Sequence, residues 1–299
     1  MKIVFMGTPE YADEILKEIL NEESLDVVGV FTQPDRPVGR KQIMTPPPVK
    51  TTAEKFEIPV FQPEKLREIA DEVRNLNPDF LVVGAYGQIL SREILDIAPA
   101  INLHTSILPL YRGASPIQQA LLNGDLETGV TAMLMNEELD EGDILKISKI
   151  DIDKTWLLED LYQNLTKLAG KLAVETVKDF QNLRPHRQKT EDATYCKKIK
   201  KSDGEVSFKS ATEIHRKWRA FTPWPSIYLE NGLKLLDIGI SENGNFREGE
   251  ILEVSENEIR VGCLDGSITI REVQPKSKKR MGIISYLNGK RLKQGDILW

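Results

Sequence analysis

Apolar and polar positions alternate along this chain with two different grammars. From Lys2 to Met6 the residues are almost all apolar, as in a strand buried on both faces, and Gly7-Thr8-Pro9-Glu10 then turns into a segment with apolar residues at Ile15, Leu16, Ile19 and Leu20. That spacing is helical, and Pro9 suits the start of a helix. Leu25 to Thr32 reads as a second strand, so the chain opens β-α-β. Helical text to Phe56, a short strand at Pro59-Val60-Phe61 and a helix over Glu64 to Asn75 follow. Asp79 to Gly84 is then a continuous apolar strand of the kind found inside parallel sheets. Ala85 to Leu90 reads as a loop, Ala100 to Ser106 as the next strand, and a helix starts near Pro116. Thr128 to Met135 and Ile144 to Ile152 read as further strands, and Leu157 to Leu183 as a long amphipathic helix.

After that helix the pattern changes. Residues 184–204 hold charged residues and glycine with few aliphatics, and read as a linker. A short helix is expected from Thr212 to Phe221, capped by Ser210 or Thr212, and leads into Thr222-Pro223-Trp224-Pro225. Short alternating strands then run to Trp299, with hairpin signals at Glu230-Asn231-Gly232, Asn243-Gly244 and Asp265-Gly266. Strands of this length and spacing suggest a small barrel, and the OB type is one that binds oligonucleotides. The expected organisation is an α/β domain over 1–183, a linker over 184–204 and an OB-like β-barrel domain over 205–299.

One segment fits neither grammar. Gln33 to Lys50 carries five prolines and little periodicity, and is expected to be a long loop of the binding or lid type. Arg36, Arg40 and Lys41 make it basic within an acidic half. Residues 1–183 hold 18 Lys and Arg against 30 Asp and Glu, whereas residues 184–299 hold 22 against 16. The net charge of −6 therefore hides a basic C-terminal half suited to a polyanionic partner. Lys276, Lys278, Lys279 and Arg280 are its densest cluster.

Composition narrows the chemistry. Cys196 and Cys263 are the two cysteines of 299 residues, and they are far apart, which argues against a disulfide framework or a zinc site and suits a reducing, cytoplasmic setting. No apolar run approaches the roughly 20 residues that span a bilayer, and no targeting segment is expected. The β-α-β opening lacks a Gly-x-Gly-x-x-Gly or Walker-type loop, so a nucleotide cofactor is not indicated.

The sharpest candidate chemistry lies in Asn102-Leu103-His104. Side chains two apart on a strand share a face, so Asn102 and His104 point the same way, and parallel sheets carry their chemistry just beyond the strands' carboxyl ends. An imidazole can move a proton near neutral pH, and an amide beside it can stabilise an oxyanion. If Asp140, in the acidic loop 136–143, reaches the same cleft, the three suit direct acyl transfer to an amine. There is no nucleophile elbow and no metal-ligand spacing.

Asn102-Leu103-His104-Thr105-Ser106-Ile107-Leu108-Pro109, with Arg112-Gly113 and Leu139-Asp140-Glu141-Gly142-Asp143, resembles the signatures of the 10-formyltetrahydrofolate-dependent formyltransferases. Phe5-Met6-Gly7-Thr8-Pro9, Pro34-Asp35-Arg36-Pro37 and Phe221-Thr222-Pro223-Trp224-Pro225 extend the likeness, over nearly the whole chain, to the branch that acts on initiator methionyl-tRNA. The resemblance implies a Rossmann-like catalytic domain and an OB-like tRNA-binding domain. It places the catalytic residues at Asn102, His104 and Asp140. Ser106, Ile107, Leu108 and Pro109 then contact the folate, with Tyr86, Gln88, Leu90, Leu139 and Gly142 around the pteridine. Arg36, Arg40 and Lys41 fall on the loop that meets the acceptor stem. Thr105 stands where Gly is more usual. The implied partners are 10-formyltetrahydrofolate as formyl donor and initiator methionyl-tRNA as acceptor, with no metal, and a cytoplasmic monomer is expected. A sugar-nucleotide formyltransferase would share the first domain's motifs, but the basic loop and basic C-terminal half speak against it.

Overall fold

The computed structural model describes residues 1–39, 41–65 and 69–298. Arg40 and part of the helix expected over 64–75 lie outside the described residues. In chain order the elements begin with β1 (Lys2–Gly7), α1 (Glu10–Leu20), β2 (Asp26–Phe31), β3 (Arg36–Val38), β4 (Ile43–Thr45), α2 (Pro48–Lys55) and β5 (Val60–Phe61). They continue with α3 (Ala70–Asn75), β6 (Phe80–Gly84), α4 (Arg92–Leu95), β7 (Ala100–His104), β8 (Arg112–Gly113) and α5 (Pro116–Asn123). Next come β9 (Glu127–Leu134), β10 (Ile144–Asp151), α6 (Leu158–Asp179), β11 (Tyr195–Cys196) and α7 (Ala211–Phe221). The chain closes with β12 (Ile227–Tyr228), β13 (Lys234–Ile240), β14 (Ile251–Val254), β15 (Ile259–Gly262), β16 (Ser267–Gln274), β17 (Met281–Gly282) and α8 (Ile283–Lys290).

Two compact units form. The first comprises Met1–Pro116, Glu127–Asp151 and Tyr162–Cys196; the second comprises Ile117–Leu126, Ile152–Leu161 and Lys197–Trp299. Residues 184–196, read from composition as linker, therefore belong to the first unit.

The first unit is built on a seven-stranded sheet in the order β10-β9-β7-β6-β1-β2-β5. The pairs from β7 to β5 are parallel, and β9 and β10 add antiparallel at one edge. All five residues of β6 and the last five of β1 are buried, which is why both read as unbroken apolar runs. Val4 and Met6 of β1 join Phe31, Leu81, Val83, Tyr86, Leu90 and Ile94 in one apolar cluster. Helix α1 runs against the carboxyl ends of β1 and β6: a Cβ on Gly7 would collide with the Ala12 Cβ, and one on Gly84 would stand 3.0 Å from Ile15 Cδ1. Chain order reverses about β1, since β2 lies on one side and β6 on the other. The open end beyond Gly7, Gly84 and His104 is thus the switch point where such sheets hold ligands.

The segment 33–50 is not structureless. Strands β3 and β4 form an antiparallel hairpin, with Arg36 opposite Thr45 and Val38 opposite Ile43. Pro37 is tolerated on so short a two-stranded ribbon. The hairpin's base is fastened by Lys50 Nζ, which donates to Asp35 Oδ1 and Oδ2 at 2.9 Å and to Gln62 Oε1 at 2.9 Å.

The second unit carries a six-stranded antiparallel sheet, in the order β12-β13-β16-β15-β14 with β17 on β16. Asn231-Gly232 and Asp265-Gly266 make hairpin turns, with the glycines at φ 81° and 78°. Asn243-Gly244 does not, because β13 pairs with β16 while β14 pairs with β15, so this turn lies in a crossover. Ser210 caps α7, its Oγ accepting from the Glu213 N–H at 3.4 Å. Arg219 is buried on α7 and donates to the carbonyls of Trp156 and Asp153 at 2.6 and 2.7 Å.

Candidate active site

Strand β7 delivers its last residues to the carboxyl edge of the sheet. Asn102 lies beside Val83 of β6 and Met133 of β9, and His104 beside Thr131 of β9. Tyr11 steadies the strand from α1, its hydroxyl donating to the Leu103 carbonyl at 3.0 Å. Burial, and then the neighbouring Tyr162, push that hydroxyl's pKa far up, so it stays a donor.

His104 is 7% exposed, and both ring nitrogens face oxygens. Its Nε2 donates to the Tyr111 carbonyl at 2.9 Å, and its Nδ1 lies 3.7 Å from Asp140 Oδ2. The Tyr111 contact assigns the ring proton to Nε2. Asp140 Oδ2 accepts from the Gly113 N–H at 2.8 Å. The Asn102 amide, half-buried on the same face, makes no side-chain hydrogen bond to a described residue. An unpaired amide donor beside a His–Asp pair is an arrangement that can meet developing negative charge on a carbonyl oxygen.

Backbone strain gathers at these residues. Tyr111 and Asp140 have φ values of 60° and 54°, and Gly113 has 112°. A Cβ on Gly113 would collide with the Cys196 carbonyl oxygen, so a larger residue cannot present this N–H to Asp140. Non-glycine residues in the left-handed region persist only where their surroundings impose it, and they collect at functional sites.

The segment Ser106–Pro109 leaves β7 as a tight loop. Ser106 Oγ donates to the Leu110 carbonyl at 2.6 Å, and Thr131 Oγ1 both donates to the Ser106 carbonyl at 2.7 Å and accepts from the Leu108 N–H at 3.1 Å. Leu108 is buried, whereas Ile107 and Pro109 are half-exposed. After β6, Tyr86 turns inward; burial pushes its phenol up to about 12, and its hydroxyl has no partner among the described residues. Its carbonyl accepts from Thr8 Oγ1 at 3.0 Å and Gln33 Nε2 at 3.3 Å. Gln88 Nε2 donates to the Pro63 carbonyl at 3.1 Å, and Leu90 is buried in the apolar cluster. Leu139, by contrast, is 65% exposed, an apolar side chain presented to solvent one residue before Asp140. A Cβ on Gly142 would overlap the Leu134 carbonyl oxygen, so glycine is what lets the acidic loop close against β9.

Four residues around this site carry no role in the sequence reading: Arg112, Glu141, Gln188 and Tyr195. Arg112 is 1% exposed, and its charge is met by Glu141 Oε1 at 2.6 Å. Its Nε and Nη2 also donate to Gln188 Oε1 at 3.0 and 2.9 Å, and Nη1 to the Tyr195 hydroxyl at 3.1 Å. Arg112 stands out in the sequence as part of Arg112-Gly113. Gln188 and Tyr195 have no local signal, because both lie in polar text.

Among the expected nucleic-acid contacts, Arg36 is exposed on β3 with Nη2 donating to Gln33 Oε1 at 3.2 Å, and Lys41 is exposed at the hairpin turn. Lys276, Lys278 and Lys279 are exposed and form no ion pair with a described residue, whereas Arg280 pairs with Glu272. Among the described residues no cluster of His, Cys, Asp and Glu could hold a metal ion, and no helix is long and apolar enough to cross a membrane.

Comparison with known proteins agrees with this geometry. Residues 1–177 match the family described as formyl transferase, and residues 198–291 its C-terminal domain. The methionyl-tRNA formyltransferase of a Nitratiruptor species is 55% identical over 99% of both chains, and that of Sulfurimonas denitrificans is 53% identical over the full length of both. Among solved structures, an N-formyltransferase from Helicobacter canadensis, in complex with folinic acid and dTDP-3-aminofucose, superposes with a TM-score of 0.69 at 20% identity, covering 91% of this chain and 99% of that one. HypX from Aquifex aeolicus in complex with tetrahydrofolic acid superposes with a TM-score of 0.61 at 15% identity, covering 99% of this chain and half of that one. At such identities the structural likeness speaks for the fold alone. The full-length relatives decide the family: this chain belongs to the methionyl-tRNA formyltransferases.

Proposed function

We propose that this chain transfers the formyl group of 10-formyltetrahydrofolate to the α-amino group of initiator methionyl-tRNA. The observation that carries the reading is the Asn102 amide, without a side-chain partner among the described residues, beside the His104–Asp140 pair at the carboxyl end of β7. The α-amino group has an ordinary pKa of about 7.7 to 8, so much of it is neutral and nucleophilic near pH 7.5. Its attack on the formyl carbon gives a tetrahedral oxyanion, and Asn102 and His104 stabilise that charge. The amine loses a proton as folate N10 gains one, and His104 relays it. Both His104 nitrogens face oxygens, so the relay requires the ring to exchange the Tyr111 carbonyl or Asp140 for substrate. Asp140 orients the ring.

Ser106, Ile107, Leu108 and Pro109 would line the folate, with Tyr86, Gln88, Leu90, Leu139 and Gly142 around the pteridine. Exposed Leu139 supports this, since a flat heterocycle would cover it. The hairpin β3–β4 would meet the tRNA acceptor stem through Arg36, Lys41 and Arg40. Exposed Val38, Ile43 and Met44 give it an apolar surface. The antiparallel second unit is read as an OB-like barrel that holds tRNA through Lys276, Lys278, Lys279 and Arg280, in a monomeric cytoplasmic enzyme.

One assay tests this reading. The protein is given 10-formyltetrahydrofolate with methionyl-tRNA, with a free UDP-amino sugar, or with neither acceptor. Formylation of the tRNA is expected; transfer to the sugar alone, or folate turnover that ignores the acceptor, would overturn it.

A further inference from the structure

Residues 186–196 form a strap stitched to the start of β10, just after the loop that carries Asp140, and to β8, which follows the turn out of β7 and His104. At one end, Ile144 and His186 exchange backbone hydrogen bonds at 2.8 Å each. At the other, β11 pairs with β8: the Arg112 N–H donates to the Thr194 carbonyl at 2.8 Å and the Ala114 N–H to the Cys196 carbonyl at 3.1 Å. Between these stitches Gln188 is 6% exposed and fully committed. Its Oε1 accepts from Arg112, and its Nε2 donates to the Asp140 carbonyl at 2.9 Å and the Gly142 carbonyl at 2.8 Å. The amide cannot be reversed, because its NH2 would then face the guanidinium. Thr194 Oγ1 accepts from the Tyr111 N–H at 2.9 Å, and the carbonyl of that same Tyr111 is the one that His104 Nε2 meets.

We infer that this strap is a positioning device for the reaction, in which Gln188 sets Asp140 and Thr194 sets His104. The inference rests on the proposed role of that pair. Asp140 sits at a φ of 54° and Tyr111 at 60°, and neither conformation is the resting preference of its residue. Gln188 donates to the backbone on both sides of Glu141, which holds the first against relaxation. Thr194 holds the second. Gln188, buried with both amide atoms satisfied, rigidifies what it touches, whereas a half-satisfied amide would be costly to bury; Thr194 acts from the surface through its side-chain hydrogen bond to Tyr111. Glu141 and Tyr195 close the network, the Tyr195 hydroxyl donating to Glu141 Oε1 at 3.1 Å. None of these residues needs to touch substrate.

The test is a double-mutant cycle read in kcat and KM. Gln188→Glu keeps an acceptor for Arg112 and removes the donor to the two carbonyls, so it isolates the clamp. It is expected to lower kcat roughly tenfold to a hundredfold, the scale of a small misplacement of reacting groups, with KM for both substrates changed little. In an Asp140→Asn background the same change should cost little further, because there is no carboxylate left to place. Full additivity, or a wild-type rate for Gln188→Glu, would overturn the strap while leaving the site standing. A wild-type rate for Asp140→Asn would overturn the site reading itself, and the strap with it. Should Gln188→Glu fail to fold, the Thr194 pair decides: Thr194→Val is expected to lose kcat and Thr194→Ser to restore it. Equal rates for the two overturn the inference.

Discussion

His104 Nδ1 stands 3.7 Å from Asp140 Oδ2, slightly too far for a hydrogen bond, while that same Oδ2 accepts from the Gly113 N–H at 2.8 Å. The carboxylate is thus fixed by the backbone of β8 and aimed at the ring at the end of β7. A separation of this kind fits a site that tightens when substrate arrives.

Loss of either proposed oxyanion donor should be costly. His104→Ala and Asn102→Ala are each expected to lower the turnover number by roughly 10² to 10³ on saturating substrates. Steady-state kinetics with both substrates saturating measures this, and near-normal turnover would remove these residues from the chemistry.

Gly113→Ala should cost stability as well as rate. The new Cβ meets the Cys196 carbonyl oxygen at a φ of 112°, which alanine rarely adopts. A loss of about 1–3 kcal/mol, the usual scale for such strain, should appear as a lower denaturation midpoint. An unchanged midpoint would mean that β8 and β11 can part without penalty.

The lysine cluster should act through phosphate. Replacing Lys276, Lys278 and Lys279 together by alanine is expected to weaken tRNA binding and to flatten its dependence on salt by about one unit of slope for each phosphate no longer neutralised. Folate binding should be unaffected. A salt slope identical to that of the unaltered protein would assign these side chains to solvent.

The hairpin's base should respond to acid. The hydrogen bond from Gln62, and then that from Lys50, hold the Asp35 carboxyl below its ordinary range. A folded value depressed in this way adds stability above the unfolded value, about 3.9, and loses it as the pH falls through the folded value. An NMR titration of the Asp35 carboxyl should show a depressed midpoint that rises in Gln62→Leu and in Lys50→Met. A midpoint already ordinary in the unaltered protein would mean that the anchor is not populated in solution.

Local pattern carried much of this protein into view. Period-two alternation alone puts Asn102 and His104 on one face, and unbroken apolar runs identify β1 and β6 as inner strands of a parallel sheet. Both are short-range consequences of backbone geometry, so neighbours in sequence suffice. The hairpin at 36–45 stayed hidden because two three-residue strands, one with a proline, give no readable period. The turn at Asn243-Gly244 was misread because a turn residue does not say which strands it joins; that depends on pairing order in the sheet.

What only the tertiary structure decided is distance between residues remote in the chain. Asp140 is 36 positions from His104, and apart from the family resemblance no spacing or composition in its acidic loop sets it apart from its neighbours until β9 folds back beside β7. Gln188 and Thr194 lie in text whose composition says linker, yet they bind the backbone around Asp140 and Tyr111. Their side chains meet backbone groups of those loops, and such a demand exists only once the loops have come together. The residue types suited to formyl transfer were legible in the sequence; their meeting at the carboxyl end of β7 is a property of the fold.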